Sequence, residues 1–278
     1  MARTLRLKLS DGIHRYHLMS RTNDKRYLFE KGCAKTELID ALKRAAAFSG
    51  ITINAYTAMD NHFHVVCTVE RPEAPVPPEE LIRRYRSLYG EKKTDDLVER
   101  WTELEAAGFT ARLEEEMTRL RRRMNDISEF MKTFKEVFNR WYKRTRDYCG
   151  SLWSGRFKST LIEDGAYFAR CKRYVQLNAV RAGIVTQIKD YRWVWCEDDE
   201  KSEGFAGSVP EEGALMRRVA QIGAGKVFGS LSFVMQMLFA LGDRIRTRSA
   251  AAHPVGTGGY SFHGWRLAKA AEVEKGVA

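Results

Sequence analysis

The chain contains the segment Met59-Asp60-Asn61-His62-Phe63-His64-Val65-Val66, in which two histidines flank one phenylalanine. The residues that follow are β-branched or apolar as far as Val69, which predicts a strand. Side chains alternate between the two faces of a strand, so His62 and His64 are expected to share one face while Phe63 points to the other. Two imidazoles in this arrangement can bind one metal ion. The same spacing also fits two ordinary strand histidines that bind no metal.

The overall composition favours a globular protein with an anionic partner. With 278 residues, 44% of them hydrophobic and 30% charged, the chain is long enough for one large domain or one domain with an appendage. Its net charge is +11 and its pI is about 9.5, an excess that favours a polyanionic partner, most often nucleic acid. A basic enzyme whose lysines are merely solvated is the alternative.

The cysteines are odd in number and none has the C-x-x-C spacing, which argues against a disulfide framework or a thiolate zinc site and fits a reducing cytoplasm. They are Cys33, Cys67, Cys149, Cys171 and Cys196. The first residues carry no apolar signal core, and no stretch has the length of a membrane span. We therefore expect a cytoplasmic protein with no membrane partner.

The N-terminal part predicts a strand, a helix and a hairpin. Residues 13–29 carry the first strand, and residues 37–49 have a helical pattern that Gly50 ends. Residues 51–59 alternate as a second strand, and a turn at Asp60 and Asn61 returns the chain into the histidine strand. The alternating residues predicted to share one face of the second strand are Ile53, Ala55, Thr57 and Met59.

Helical patterns dominate the middle of the chain. Residues 93–125 are highly charged and predict a helical hairpin bent near Gly108, and residues 127–146 form the clearest amphipathic helix. A further helix is predicted over residues 166–182. The hairpin also contains a basic run, usually a solvated surface, which could hold phosphates beside a nucleic-acid site. Its members are Arg119, Arg121, Arg122 and Arg123.

The composition changes after Trp195, which suggests a domain boundary. We expect a main domain over residues 1–196, a linker over 197–212 and a C-terminal helical appendage over 213–278. Two short helices are predicted in the appendage, over 214–222 and 232–245, with glycines between them. That pattern permits a DNA-binding helix-turn-helix, and it equally permits a plain helical extension.

The helix predicted over residues 166–182 contains Tyr174 and Asn178, which are four residues apart and therefore share one face. If this face meets the histidine strand, a phenol, an amide oxygen and two imidazoles converge. A tyrosine can act as a covalent nucleophile, although its phenol is protonated at neutral pH and needs activation. A metal ion held by two imidazoles and one amide oxygen keeps open positions and could polarise a phosphodiester. A partly buried helix tyrosine with no catalytic role is the alternative.

Four motifs, in order, resemble a known family. The sequence Leu152-Trp153-Ser154-Gly155-Arg156-Phe157-Lys158-Ser159 resembles the signature LWQGRFKS of REP-associated tyrosine transposases, which are single-tyrosine HUH transposases related to the insertion-sequence 200 and 605 group. Residues 173–185 resemble the family pattern RYIxLNPVRAGLV, and residues 59–66 resemble its MPNHxHLL. Residues 16–21 are similar to its first strand. The resemblance covers most of residues 12–195. Ala179 departs from it, because the family has proline there.

The resemblance implies a fold and a reaction. The fold is α+β, with a ferredoxin-like antiparallel sheet of four or five strands and helices on one face. Relative to compact members of the family, the helical segment over residues 93–125 is a helical insertion, and the C-terminal appendage is a further addition. His62 and His64 become metal ligands for Mg²⁺ or Mn²⁺, Asn178 takes the place of the third ligand, and Tyr174 becomes the nucleophile. The implied enzyme cleaves single-stranded or hairpin DNA of repetitive palindromic elements through a 5′-phosphotyrosine link and then rejoins it. It would act as a monomer or a homodimer.

Several basic residues are candidates for contacts with the DNA backbone. They are Arg156, Lys158, Arg173, Arg181, Lys135, Arg140 and Arg144. His17 could orient a metal ligand from behind, although a strand histidine satisfied by the backbone is the favoured interpretation. Two other functions fit in part. A domesticated, non-cutting protein that binds DNA hairpins would not need both histidines, Tyr174 and Asn178. A replication initiator or relaxase nickase would use the same chemistry but is disfavoured by the signature motifs.

Overall fold

The computed structural model describes residues 7–9, 12–198 and 227–241, and the short strands at 245–246, 253–254, 260–262 and 266–267. The strands before residue 199 are β1 (Gly12–Arg21), β2 (Ile51–Ala58), β3 (His62–Arg71), β4 (Lys158–Ile162) and β5 (Val194–Cys196). The helices there are α1 (Gly32–Ser49), α2 (Pro78–Tyr89), α3 (Glu91–Ala106), α4 (Thr110–Arg121), α5 (Ile127–Arg146), α6 (Ala166–Gln176) and α7 (Asn178–Arg181). They are followed by β6 (Val227–Gly229), α8 (Leu231–Leu241), β7 (Ile245–Arg246), β8 (His253–Pro254), β9 (Tyr260–Phe262) and β10 (Arg266–Leu267).

The central four strands lie in the order β2-β3-β1-β4, and each neighbouring pair is antiparallel. The chain crosses from β1 to β2 through α1 and from β3 to β4 through the segment that ends with α5. This is the ferredoxin-like βαββαβ arrangement. The predicted α+β class with an antiparallel sheet is confirmed. β5 extends the sheet beside β2, and β6 extends it beside β4.

One face of the sheet is covered by α1 and α5. Aliphatic side chains of α1, such as Leu38 and Leu42, meet an aromatic stripe of α5 that includes Phe130, Phe134 and Phe138. The three phenylalanines are fully buried. Burial of one such side chain contributes roughly 2 kcal/mol, so this stripe is a large part of the core. The aromatic residues of α5 therefore serve packing.

The other face of the sheet is covered by α6. Its Phe168, Cys171 and Val175 pack on Ala55 of β2 and Val66 of β3. Helices were expected on one face, and the structure differs in this respect: α1 and α5 occupy one face and α6 crosses the opposite one. The difference arises because the chain continues past β4, crosses the sheet and returns as β5 at the far edge beside β2.

The pairing of β2 with β3 shifts between Ile53 and Ala55, which marks a β-bulge at Asn54. The side chains before and after the bulge consequently change faces. Ile53 packs with the α1 side of the core, whereas Ala55 packs with the α6 side. The prediction that Ile53, Ala55, Thr57 and Met59 share one face is therefore wrong. Asn54 is buried, and its amide is bonded to Glu197 (2.7 Å) and Thr68 (2.8 Å), which satisfies the polar group at the bulge.

The helical insertion predicted over residues 93–125 packs together with α2, and the two are called the insertion below. Its buried side chains form a separate small core with Phe48 of α1, contributed by Leu81, Leu97, Trp101 and Met124. The bend predicted near Gly108 lies between α3 and α4, where Gly108 adopts a positive φ of 73°. Most of the predicted basic run is engaged in pairing. Arg119 bonds Glu115, Arg121 bonds Glu114, and Arg123 lies against the ring of Phe48.

The C-terminal part contributes to the same sheet. β6 pairs in parallel with β4, and the side chains of Val227 and Phe228 are fully buried on opposite faces. The helix predicted over residues 232–245 corresponds to α8, whereas β6 and β7–β10 were not predicted. The predicted helix at 214–222 and nearly all of the linker lie outside the described residues. The division into domains stays a prediction. None of the described helices combines the length and apolar character needed to cross a membrane.

Candidate functional site

The register of β1 on β3 gathers the candidate site residues on the α6 face of the sheet. Arg21 is directly opposite His62, and Met19 is directly opposite His64. Paired residues of neighbouring strands project to the same side, so these four side chains share one face. Phe63 projects to the other side, where its ring contacts Phe134 and Trp153. The alternation expected from the sequence thus places both histidines away from the main core.

Three imidazoles lie next to one another on this face. Nε2 of His17 and Nδ1 of His64 are 2.8 Å apart and share a hydrogen bond. The ring of His62 lies 5.2 Å from that of His64, in an edge-to-face arrangement. His64 and His17 are buried, with 3% and 7% of their surface exposed, whereas His62 is half-buried. His17 therefore stands behind His64, and His62 stands nearer the solvent.

Burial keeps these histidines uncharged at neutral pH. It lowers the pKa of His17 to about 4. Burial, assisted by the nearby positive charge of Arg21, lowers the pKa of His62 to about 4 as well. The pKa of His64 lies well below its usual value because of burial and of repulsion from the neighbouring imidazoles. Neutral imidazole is the form that binds metal ions, so this cluster is suited to ligation.

The turn that precedes β3 fixes the ring of His62. Nδ1 of His62 is 2.7 Å from Oδ1 of Asn61, and an amide oxygen can only accept, so Nδ1 carries the proton. This leaves Nε2 of His62 with its lone pair. The turn itself is held by buried Lys35 of α1, whose ammonium is 2.5 Å from the carboxylate of Asp60 and lies over the ring of Trp193.

Tyr174 reaches the histidines from α6. Its ring meets those of His64 and His17 edge-on, with centroid distances of 5.7 and 6.0 Å. The guanidinium of Arg181 lies over the ring of Tyr174 at 4.9 Å. α6 is held in place by buried Lys172, which pairs with Glu197 at 2.8 Å and with Asp198. The phenol is thus positioned beside the cluster by a helix that is anchored at its side.

Asn178 completes the group, but the helix that carries it is not continuous. One helix was predicted over residues 166–182, whereas α6 ends at Gln176 and α7 begins at Asn178. The interruption at Leu177 does not separate the two side chains, because Tyr174 and Asn178 line the same cavity. Asn178 also forms a side-chain hydrogen bond with His62. Its amide is therefore next to the imidazoles.

These residues surround an open cavity of about 540 Å³. Its walls are formed by Met19, Ser20, Arg21, His62, His64, Ser154, Arg156, Lys158, Tyr174 and Asn178. The cavity thus combines the four residues of the predicted reaction centre with three cationic side chains. Its size and its charge suit a phosphodiester group with a flanking sugar.

The signature motif positions two of those cations. Trp153 is packed among Phe29, Phe63 and Phe134, and its indole N–H donates to Asn139 at 2.7 Å. The backbone N–H of Ser154 donates to the carbonyl of Arg21, which attaches this loop to the end of β1. Arg156 and Lys158 consequently lie exposed at the rim of the cavity.

Arg21 was not singled out by the sequence analysis. It lines the cavity, and its Nε is buried without a hydrogen-bond partner among the described residues. A buried donor of this kind is costly unless a ligand completes it. The signal that could have found it is the pairing of β1 with β3, which places Arg21 beside His62. The sequence motif alone shows only that an arginine ends the first strand.

The other residues predicted to contact DNA lie in different parts of the structure. Arg181 is near the cavity through its contact with Tyr174, and Arg173 is half-buried on α6 and does not line the cavity. Lys135 of α5 donates to the carbonyl of Gly155 at 3.3 Å and lies over Trp153, so it supports the signature loop. The two remaining candidates, Arg140 and Arg144, line a different cleft.

The donor set for a metal ion can be judged from the residues present. Within the described part of the chain, no three His, Cys, Asp or Glu side chains come together as a metal site. A metal ion here would depend on His62, His64 and the amide oxygen of Asn178. Two neutral imidazoles and one oxygen form a reasonable partial shell for a divalent cation with open positions. The residues present therefore fit the implied metal.

Comparison with known proteins gives only distant similarity. No family profile and no curated protein matches this chain. Among solved structures, a REP-associated tyrosine transposase bound to a REP hairpin is similar at 14% identity and a TM-score of 0.43, over 70% of this chain and 82% of the other. A candidate transposase from Deinococcus radiodurans R1 is similar at 14% identity and a TM-score of 0.32, over 66% of this chain and 98% of the other. Because both TM-scores are low, the function proposed below rests on the residues of the site.

Proposed function

We propose that this chain is a transposase of the REP-associated tyrosine family, which cleaves and rejoins single-stranded or hairpin DNA with the help of Mg²⁺ or Mn²⁺. The observation that carries the proposal is the position of Tyr174, whose ring lies 5.7 Å from that of His64 in a cavity shared with His62 and Asn178. A candidate nucleophile, uncharged imidazoles and cationic side chains occur together there. The motifs that resemble the family supply these same residues.

The hydrogen bonds of the cluster determine how the imidazoles would bind a metal. His62 donates its Nδ1 proton to Asn61, which leaves Nε2 for a metal ion. His64 is equally competent when its Nδ1 proton is donated to Nε2 of His17, because its own Nε2 then has a free lone pair. In the opposite tautomer His64 could not bind through Nε2. His17 therefore acts as a positioning residue that selects the tautomer.

Reaction at the site follows from the groups around the cavity. When bound, the metal ion would polarise the scissile phosphate and reduce the cost of the charge that develops on it. Tyr174 attacks the phosphorus atom, so a bond forms between the phenolic oxygen and phosphorus while the bond to the 3′ oxygen breaks. The phenol releases its proton to water and the departing 3′ oxygen gains one. The products are a 5′-phosphotyrosyl link and a free 3′-hydroxyl.

Arg21 would bind a non-bridging oxygen of the phosphate during this step. Its buried Nε requires an acceptor, and a phosphate in the cavity provides one. Arg156 and Lys158 at the rim are suited to the neighbouring phosphates of the strand. Attack by a second 3′-hydroxyl on the phosphotyrosine reverses the bond changes and joins two DNA ends. The energy of the phosphodiester is retained in the covalent link, so no nucleotide cofactor is required.

A covalent adduct is the experiment that tests this proposal. Labelled palindromic hairpins with single-stranded flanks are mixed with the protein and Mn²⁺ and then separated on a denaturing gel. We expect an adduct that disappears in Tyr174→Phe and with EDTA. Tyr167→Phe, on the same helix but packed against Phe228, is the matched control and should form the adduct. An adduct that survives in Tyr174→Phe contradicts the proposal, and hairpin binding without any adduct favours the non-cutting binder.

A further inference from the structure

A second basic cleft lies on the side of the sheet opposite to α6. It is enclosed by α1, α2, the start of α3 and α5, and its volume is about 210 Å³. Its cationic side chains are Arg44, Lys93, Arg123, Arg140 and Arg144. Two carboxylates, Glu37 and Glu136, also line it. The helical insertion supplies one wall and the polar side of α5 supplies the other.

The cations of the cleft are not fully compensated. Arg44 is paired with Glu37 at 2.7 Å. Arg140 and Arg144 are one turn apart on α5 and are exposed, and within the described ranges neither has a hydrogen-bonded or ionic partner. Two unpaired guanidinium groups on one ridge of a helix form a strong site for anions. Positive side chains thus outnumber negative ones where α5 faces the insertion.

Arg123 gives the cleft a fixed floor. Its guanidinium donates to the hydroxyl of Tyr89 at 2.9 Å and to Oγ1 of Thr133 at 3.2 Å, and it lies 4.4 Å from the ring centre of Phe48. These contacts connect the insertion to α5 and α1. The cation is half-buried and restrained by these three contacts. A ligand that binds it would not have to order a flexible side chain, which reduces the entropic cost of binding.

Aromatic surface accompanies the charge. Tyr89 and Trp141 both line the cleft and are half-buried, so part of each ring faces the opening. Unpaired arginines beside partly accessible aromatic rings are the two components of sites for single-stranded nucleic acid, since the arginines bind phosphates and the rings stack on bases. An acidic protein segment would satisfy the arginines but would not use the rings.

We infer that this cleft binds a segment of single-stranded nucleic acid, separately from the cavity that contains Tyr174. The inference rests on the proposed function for the source of the strand, which would be the DNA that flanks the cleaved hairpin. α1 and α5 lie on one face of the sheet and the catalytic cavity lies on the other, so the bound DNA would contact both sides of the molecule. The insertion then has a role in holding the substrate.

The test compares two charge-reversal variants of α5. Arg140→Glu with Arg144→Glu changes the cleft, and Lys132→Glu with Lys143→Glu makes the same change in net charge at exposed positions outside it. Binding to labelled oligo(dT) is measured by fluorescence anisotropy over a range of salt concentrations. We expect the arginine variant to lose roughly tenfold or more in affinity. Its log–log salt slope should fall by about 1.4, since each lost phosphate contact on a single strand contributes about 0.7.

The control variant should keep most of its affinity and its salt slope. Photocrosslinking of a 5-bromouracil oligonucleotide, followed by mass spectrometry, should label peptides that contain Tyr89 or Trp141. Equal losses in the two variants would overturn the inference, because they would show attraction to net charge alone. Competition by polyglutamate as effective as by oligo(dT) would also overturn it and would indicate an acidic protein partner.

The outcome is independent of the adduct assay. If the proposed reaction fails, Tyr174→Phe still forms the adduct or no hairpin is cleaved, whereas oligo(dT) binding and its dependence on Arg140 and Arg144 remain measurable. If only the inference about the cleft fails, the wild-type protein forms the adduct and the arginine variant binds oligo(dT) like the control.

Discussion

At the scale of single residues, the two ring nitrogens of His64 have different roles in the proposed site. Nδ1 is committed to His17, and Nε2 is the atom left for a metal ion. A partner that accepts a hydrogen bond at this position favours the tautomer of His64 with its proton on Nδ1. Without such an acceptor, the proton can also reside on Nε2, where it would prevent metal binding. The metal site that we propose thus depends on a buried residue that does not line the cavity.

Replacement of His17 tests this dependence. We expect His17→Phe to weaken Mn²⁺ binding about 10- to 100-fold, the usual effect of losing such an outer contact. His17→Gln should retain more affinity because its amide oxygen can accept the proton of His64. Calorimetric titration with Mn²⁺ measures both. The control is His14→Gln, because His14 lies near the start of β1 and the cavity is lined by the end of that strand. Equal affinity in His17→Phe and wild type would show that His64 needs no partner.

Arg21 gives a second prediction at this scale. Arg21→Ala removes the buried donor that we assign to the scissile phosphate, so the rate of adduct formation should fall about 100-fold at saturating DNA. Arg21→Lys should recover part of the rate because it restores the charge without the planar fork. Arg83→Ala, an exposed arginine of α2, is the control. A loss of DNA affinity with an unchanged maximal rate would instead show that Arg21 only assists binding.

At the scale of elements, α5 is the helix on which both the signature loop and the second cleft depend. It begins at Asp126, whose carboxylate accepts from the backbone N–H groups of Ser128 (2.7 Å) and Glu129 (3.1 Å). Lys8 pairs with the same carboxylate at 2.6 Å. Burial alone would raise the pKa of Asp126, but the bond from Lys8 and the backbone bonds outweigh it, so the pKa lies below its usual value.

This cap gives a prediction with a defined pH dependence. Asp126→Ala should lower the free energy of unfolding by about 1 kcal/mol at neutral pH, as expected for loss of an N-cap. Asp126→Asn keeps the cap and loses the charge. Because the pKa is lowered in the folded state, the charge stabilises the protein above pH ~4 and this stabilisation is lost as the pH falls further. Urea denaturation should therefore show that wild type and Asp126→Asn converge in acid. A constant difference would contradict this.

The elements also show what the sequence could and could not predict. The β2–β3 hairpin, the helical hairpin and α5 follow from local periodicity and were predicted. The bulge at Asn54 was not, because a polar residue in an alternating pattern suggests exposure, whereas Asn54 is buried through bonds to Glu197 and Thr68. The break between Tyr174 and Asn178 lacks a proline or glycine to mark it. The position of Arg21 in the cavity depends on the pairing of β1 with β3. These strands are far apart in the sequence, so no local pattern predicts their pairing.

At the scale of the whole molecule, the predicted appendage and the main sheet are connected. β6 pairs with β4, and the hydroxyl of Ser230 donates to Glu163 at 2.9 Å. Val227, Phe228 and Val234 are fully buried, each worth roughly 2 kcal/mol. Periodicity could not predict this contact, because it joins segments separated by a long stretch of chain.

Truncation tests the contribution of this region. A chain that ends at Asp198 loses the three buried side chains and exposes the edge of β4, so its melting temperature should fall by at least about 5 °C. Exposed strand edges also promote association, which light scattering would detect. A chain that ends at Leu267 keeps β6, α8 and the strands that extend the sheet, and it is the control. If the shorter chain melts at the wild-type temperature, the C-terminal region is an independent appendage.

The alternation of side chains around Phe63 restricts which mutations β3 can tolerate. Phe63 is anchored by Phe134 and Trp153, and the histidines on either side depend on that anchor for their direction. Loss or gain of one codon here would turn the phenylalanine towards solvent and an imidazole into the aromatic core, so indels are expected to be eliminated by selection on folding. Substitution of a histidine leaves the core untouched. Related chains without the proposed reaction should therefore retain the spacing and differ in the identity of the two residues.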